Sequence, residues 1–336
     1  MLRLLTNIQA MKQHAPPDVS VDFEGRPSWQ TILRAIRSDG VLLANPGVRL
    51  MIFSILVRLL SAGTTQIYFY DILLAPPAAS WKRNVQCWIR KLSSRLAARI
   101  YLVHHDYETY ARELSAPLGK FQWIGFKCNN FERLTDDEPK ASIGGDYVLA
   151  CGQSYRDYPT FIRAFERLPI PARIILPPRS NWDLHGTWFD EAPVPENVTV
   201  IEHDGGVESW DTLLRNARLV VLPLRKDVVQ PAGISVALEA MAFGKAVIMS
   251  DGPLTRGGTF AAASLVVPPG DPQALAEAMG RVWNDEGLRR KLADGAVTVA
   301  RAMGGVRRMC ADLFQAITAD LPRYRDAIQK RQSEVD

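Results

Sequence analysis

Short, almost unbroken apolar runs alternate along this chain with longer stretches in which apolar positions recur every three or four residues. In the first half, Gly40–Ala44, Gln66–Tyr70, 100–103 and 121–127 read as strands, the second from its aromatic content. Between them, 29–36, Val48–Leu60, 80–98 and Tyr107–Leu114 read as helices. In the second half, 146–151, Ala172–Leu176, Val198–Glu202, 219–223 and Ala246–Ser250 read as strands. Helices are predicted over 159–168, 209–216, the segment opened by Gly233, and 306–321, with a last piece beyond Pro322. Strands that alternate with helices predict an α/β protein with mostly parallel sheets and right-handed crossovers.

The rhythm breaks between Cys128 and Gly145, where Asn129-Asn130 and Asp136-Asp137-Glu138-Pro139 make a polar, strand-poor stretch. A chain of 336 residues is long enough for two compact domains. The expected division is a first domain over 1–128, a linker over 129–145, a second domain over 146–304, and C-terminal helices over 305–336 that cross back to the first. The acidic triplet reads as exposed linker rather than as a metal site. Residues 178–195, rich in Trp, Asp and Pro, read as loop.

The most informative stretch is Gly233-Ile-Ser-Val-Ala-Leu-Glu239-Ala-Met-Ala-Phe-Gly244-Lys-Ala-Val-Ile-Met-Ser250: a glycine turn, a short helix, a glycine stop and a buried strand. A helix start presents unpaired backbone N–H groups and the positive end of the dipole, which favour an anion. Glu239 lies six residues past Gly233, ~9 Å along the axis at about 1.5 Å per residue. That span suits a ligand with phosphate at one end and a diol such as ribose at the other. An ordinary α/β helix with a solvent-facing glutamate has the same spacing. A second strand-to-helix turn, from Gly152 to Tyr158, would face the same crevice at the carboxyl ends of a parallel sheet.

The Leu-Glu-Ala-Met-Ala-Phe-Gly-Lys core, the run Leu265-Val-Val-Pro-Pro-Gly-Asp-Pro-Gln-Ala-Leu-Ala-Glu-Ala-Met279 and Glu286-Gly-Leu-Arg-Arg-Lys-Leu-Ala-Asp294 together resemble the retaining glycosyltransferases of family 4 (glycosyl transferases group 1). The resemblance covers about half the chain and is carried by its second half. It implies the B-type fold, two Rossmann-like parallel-sheet domains facing a central cleft. It also implies transfer from a nucleotide diphosphate sugar with retained anomeric configuration, without a metal and with no cofactor beyond the donor. Departure and attack on one face of the sugar, assisted by the leaving phosphate, would account for retention without a dedicated nucleophile.

By this resemblance Glu239 accepts the ribose hydroxyls, and Ser235 with the N–H groups of Gly233, Ile234 and Ser235 holds phosphate. In the turn at Gly152 the family arginine is replaced by Gln153, which carries no charge, while Arg156 occupies the place of the family lysine that holds the diphosphate. The family glutamate that contacts the transferred sugar is Pro231 here, with Gln230 beside it as a neutral hydrogen-bonding substitute. In the first half, Asp71 at the end of Tyr68-Phe-Tyr-Asp71 is the catalytic candidate, equally readable as a helix cap or structural acceptor. The pair His104-His105 reads as polar loop residues or a phosphate contact. Two other classes remain open: a sugar-nucleotide epimerase of the same architecture, and a non-catalytic partner that binds nucleotide sugar or docks a transferase.

Charge then changes the picture of the first half. Residues 1–130 hold 16 Lys and Arg against 8 Asp and Glu, whereas the rest of the chain holds 24 against 28. Between Asp71 and Asp106 there are six cations and no carboxylate, with Trp81 and Trp88 among them. The helix from Trp81 to Arg99 therefore suits an anionic membrane surface or a phosphate-bearing acceptor, and also reads as a solvated cationic face. A saccharide, lipid-linked or small-molecule acceptor is the expected partner, the basic helix favouring a lipid-linked or envelope saccharide; nothing resembles a nucleic-acid-binding motif, so no nucleic acid is expected. The apolar stretch from Leu50 to Val57 is far short of a membrane span, and the N-terminal sequence lacks a leader pattern. Four scattered cysteines suggest neither a metal site nor a disulfide framework. A cytoplasmic protein, peripheral on the inner face of the membrane, is the resulting expectation.

Overall fold

The computed structural model describes residues 1–74, 81–129, 131, 144–176, 186–189, 193–202 and 206–321. The acidic triplet 136–138, most of the segment 178–195 and the piece beyond Pro322 lie outside the described residues. The chain forms two units, Met1–Gly125 with Val306–Asp336, and Phe126–Gly305. Phe126 to Cys128 group with the second unit because Cys128 is held there. Its N–H donates to the Gly304 carbonyl (2.9 Å), and its Sγ lies 3.6 Å from the Leu238 carbonyl oxygen.

The first unit is built on six parallel strands: β1 (Leu2–Thr6), β2 (Val19–Phe23), β3 (Gly40–Ala44), β4 (Gln66–Tyr70), β5 (Arg99–Leu102) and β6 (Phe121–Trp123). They lie in the order β2-β1-β3-β4-β5-β6. Helices α1 (Gln9–Gln13), α2 (Trp29–Ala35), α3 (Val48–Leu60), α4 (Trp81–Leu96) and α5 (Tyr107–Leu114) connect them. Right-handed crossovers put α2 to α5 side by side on one face and α1 on the other. Covered on both faces, β3 and β4 form nearly continuous apolar runs after Gly40 and Gln66, with Val41, Leu42, Ile67, Tyr68 and Phe69 fully buried. The expected strand over 121–127 is shorter, because sheet pairing ends at Trp123.

Strands β1 and β2 have no counterpart in the elements predicted from sequence. Exposed Arg3 interrupts the first, and the second, Val-Ser-Val-Asp-Phe, alternates because it is an edge strand with Ser20 and Asp22 on its outer side. Their hydrogen-bonded register with β3 places the strand-order reversal of this sheet between β1 and β3. Asn7 bridges that point, donating to the Ala44 carbonyl (2.9 Å) and accepting from its N–H (2.7 Å).

The second unit repeats the architecture with β7 (Tyr147–Cys151), β8 (Ala172–Leu176), β9 (Val198–Glu202), β10 (Ala217–Leu222), β11 (Ala246–Ser250) and β12 (Leu265–Val267). Their order is β12-β11-β10-β7-β8-β9, again all parallel. Its helices are α6 (Tyr158–Phe165), α7 (Val207–Asn216), α8 (Ile234–Ala242), α9 (Thr259–Ala262), α10 (Pro272–Asn284) and α11 (Glu286–Met303). Aspartates set three of the helix starts: Asp157, Asp271 and Asp285 accept the N–H of Thr160, Ala274 and Leu288. Pro272 follows Asp271 in the first turn, as the Gly-Asp-Pro sequence requires. The strand order reverses between β7 and β10, so the loops after these two strands converge.

Helix α12 (Val306–Asp320) returns to the first unit and packs beside α1. Its last residue closes the unit electrostatically. Arg99 at the start of β5 donates from Nε (2.9 Å) and Nη2 (2.6 Å) to the two Asp320 carboxylate oxygens, and Tyr101 Oη adds a third contact at 3.3 Å. Two parallel charge-assisted bonds in a partly buried setting stabilise more than an exposed pair. Asp320→Ala is expected to destabilise this unit by about 1–3 kcal/mol, measured by chemical denaturation with a probe confined to the first unit.

Candidate functional site

The two loops at the reversal point of the second sheet are tied to each other before any ligand is considered. Asp157 N–H donates to the Pro223 carbonyl (3.0 Å), Arg225 N–H to the Tyr155 carbonyl (3.1 Å), and Arg156 and Leu224 form an isolated bridge. The first loop leaves β7 at Gly152, whose φ of +107° is left-handed and open to glycine at little cost. Tyr155, at φ +55°, takes the same region without that freedom.

Arg156 lies beneath both loops, 1 % exposed. Its Nε donates to the Cys151 carbonyl (2.8 Å) and its Nη1 to the Ser154 carbonyl (2.7 Å), so the side chain folds back to staple its own turn. The guanidinium is packed against two glycines. A Cβ at Gly152 would overlap Nη2, and one at Gly233 would come within 3.4 Å of Nη1 and Nη2. Burial pushes its pKa down, while the nearby Tyr158 and Cys151 oppose the shift. Among the described residues no carboxylate pairs with it. A desolvated cation without a counter-charge is costly, and an anion bound above the loops would offset that cost.

The second loop ends at Gly233, at φ +91°, which caps α8 with no side-chain hydrogen bond. The first N–H groups of α8, including those of Ile234 and Ser235, therefore start the helix beside the Arg156 guanidinium. Gly152, Arg156 and Gly233 thus meet in one place. Gln153 is exposed, its carbonyl accepting from Thr187 Oγ1, and it brings no charge. Gln230 is half-buried; its carbonyl accepts the Ala232 N–H (2.7 Å), and among the described residues its amide has no hydrogen-bond partner. Pro231 beside it is buried.

Glu239, further along α8, is half-buried and already engaged: Trp210 on α7 donates its Nε1–H to Oε2 at 2.8 Å. Burial raises its pKa, against hydrogen bonds from Asn129 and Trp210 and the nearby Lys127. Trp210, Asn129 and Lys127 carry no signal in the sequence motif, because they reach the carboxylate from other segments. Among the described residues no group of three His, Cys, Asp or Glu could hold a metal ion.

Asp71 belongs to the first unit, at the carboxyl end of β4. It is buried, with φ +54°, and Asn45 at the end of β3 has φ +44°. Two adjacent strand ends in the left-handed region without glycine store backbone strain. With its amide turned to donate, Asn45 reaches the Asp71 carbonyl oxygen (2.6 Å) and Oδ2 (3.1 Å), while Oδ1 is buried without a partner. Burial pushes the Asp71 carboxyl from 3.8 up to about 7. His104 is buried nearby, its ring 4.5 Å from that of Tyr110, and its Nδ1 accepts the Asp106 N–H. His105 is exposed and stacks on Trp123 at 5.3 Å.

Residues 187–299, within the second unit, match the model of the family described as glycosyl transferases group 1. The two parallel α/β units have the fold of the B-type glycosyltransferases. HepE of Anabaena in complex with UDP-glucose is similar with a TM-score of 0.68, over 95 % of this chain and 100 % of that one, at 12 % identity. Sucrose-phosphate synthase of Thermosynechococcus elongatus is similar with a TM-score of 0.68, over 98 % and 100 %, at 16 % identity. The α,α-trehalose 6-phosphate synthase of Burkholderia multivorans gives 0.61, over 90 % and 79 %, at 12 % identity. No curated protein matches the sequence.

Two outcomes follow from this geometry. Gly152→Ala drives a methyl group into the guanidinium and strains a left-handed residue, so it should cost about 2–4 kcal/mol of stability in the second unit, read by thermal unfolding. For Asp71 the folded pKa exceeds the unfolded one, so its contribution is complete below pH 3.8 and is lost as pH rises to about 7. Asp71→Asn should remove that slope, gaining at most about 4 kcal/mol over the parent at pH 8 and little near pH 4, measured as stability against pH.

Proposed function

We propose that this protein is a retaining glycosyltransferase that takes a nucleotide diphosphate sugar, UDP-linked in the first instance, and passes the sugar to a saccharide or lipid-linked acceptor. The observation that carries the reading is the buried guanidinium of Arg156, paired with no carboxylate among the described residues, set against the glycine-capped start of α8. Departure of a nucleotide diphosphate builds negative charge, and a cation with converging N–H groups in a water-poor site stabilises it without reorganising. That is the basis for assigning a metal-independent reaction.

In this reading the diphosphate lies over Gly152 and Gly233, held by Arg156 Nη2 and the N–H groups of Ile234 and Ser235. Glu239 accepts the ribose hydroxyls, its carboxylate oriented by Trp210 and Asn129. Glu239 keeps the orientation only while charged or strongly accepting, so ribose binding should weaken as it protonates. Gln230 takes the place beside the transferred sugar, and Asp71 is the acid–base candidate of the first unit. The choice of UDP rests on the neighbours of the same fold: HepE is solved with UDP and UDP-glucose, and a trehalose-phosphate synthase of Burkholderia xenovorans is UDP-forming. The carboxylate replaced by Pro231 favours a second reading, a protein that binds nucleotide sugar without turning it over.

Calorimetric titration with UDP, GDP, ADP, uridine and UDP-glucose tests the site. Glu239→Ala should weaken UDP and uridine alike, by about tenfold to a hundredfold. Arg156→Lys should weaken UDP by about tenfold and leave uridine nearly unchanged, because only the diphosphate meets the guanidinium. Saturable binding with no sugar transfer to any acceptor tried would favour the second reading. No binding of any nucleotide would overturn the donor assignment.

A further inference from the structure

Helix α4 is amphipathic the wrong way round for a helix lying on a sheet. Its buried residues are Ser93 and Ser94, and no apolar residue of the helix is fully buried. On the same inward side, half-buried Arg90 leaves its Nε enclosed without a hydrogen bond, as does the Ser94 hydroxyl. The apolar row Trp81, Val85 and Trp88, spaced i, i+4 and i+7, points the other way, with the tryptophans 72 % and 64 % exposed. Exposed Lys82, Lys91 and Arg95 flank this row.

The neighbouring helix continues the pattern. Helix α3 packs beside α4 and buries Met51, Phe53 and Val57 toward the sheet, as a normal core helix does. Its other side is also apolar: Ile52, Leu56, Leu59 and Leu60 are exposed, Leu59 at 65 %. The stretch from Leu50 to Val57 that is too short to span a bilayer is therefore divided between core and surface. No helix among the described residues is long and apolar enough to cross a membrane. From Gly40 to His105 the chain holds eight cations and one carboxylate, Asp71, which is buried.

We infer that the outer face of α3 and α4 docks on an anionic lipid bilayer. Tryptophan and leucine side chains enter the boundary between headgroups and acyl chains, and the flanking lysines and arginines meet lipid phosphates. A surface with cations and no exposed carboxylate over two helices complements a sheet of negative charge, whereas the polar rim of a protein partner usually mixes both signs. The arrangement lies along the bilayer without crossing it. This inference stands on the first unit and does not rest on the donor-site assignment.

The test is co-sedimentation of the full chain with vesicles of phosphatidylcholine alone and of phosphatidylcholine containing about a third phosphatidylglycerol. The bound fraction on anionic vesicles is expected to exceed that on neutral ones by at least about tenfold, and to fall as salt is raised toward about 0.5 M. Trp81→Ala with Trp88→Ala, and separately Lys82→Glu with Lys91→Glu, should each reduce partitioning by about tenfold or more. All four residues are exposed, and unchanged circular dichroism with unchanged UDP titration checks that the fold is kept. Absence of binding to anionic vesicles, or binding insensitive to both pairs of substitutions, overturns the inference. So does a dimer in sedimentation velocity that the tryptophan substitutions dissociate while vesicles go unbound, which would make this face an interface between copies. A protein that binds UDP but not vesicles fails here alone, and one that binds vesicles but not UDP fails only in the donor assignment.

Discussion

An enclosed guanidinium that meets no carboxylate among the described residues constrains the whole second unit. Arg156 can stay charged under two loops only because backbone carbonyls of its own turn, at Cys151 and Ser154, accept from it. That arrangement in turn requires glycine at 152 and 233, a left-handed turn after β7, and the β10 loop drawn across it. Sheet topology supplies the setting: reversal of strand order between β7 and β10 is what lets loops from distant parts of the sequence meet. The local chemistry is thus a consequence of strand order, while right-handed crossovers decide on which face each connecting helix lies.

The first unit solves the same packing problem with a different device at its reversal point. There Asn7 pairs with the backbone of Ala44 through both the nitrogen and the oxygen of its amide. Asn45 at the end of β3 and Asp71 at the end of β4 take left-handed backbone, and one Asp71 carboxylate oxygen is buried without a partner. Within this sheet the buried carboxyl is retained at a cost in stability, since its charge is disfavoured at neutral pH.

Much of this was legible in the sequence, and the omissions have physical reasons. The second half could be read almost element by element because β7 and β11 are continuous apolar runs and its helices open on Asp or Gly. The two N-terminal strands escaped because Arg3 breaks one run and the edge strand Val19–Phe23 is half polar. Glu239 could be singled out by its spacing from Gly233, but its partners Trp210 and Asn129 could not, since they converge only in three dimensions. The depth of Arg156 was equally hidden, because it depends on two glycines far apart in sequence. For α4 the density of cations was plain, yet its composition did not say which side faced the sheet, and the answer is the polar one.

The return of α12 to the first unit has a consequence for how the molecule is made. The second unit is contiguous in sequence, so it can complete its sheet as soon as Gly305 has left the ribosome. The first unit, although synthesised earlier, lacks the helix that packs beside α1 and the carboxylate that meets Arg99 until Asp320 emerges. Emergence and completion therefore run in opposite orders: the leading sheet waits for α12 to join α1 on one of its faces.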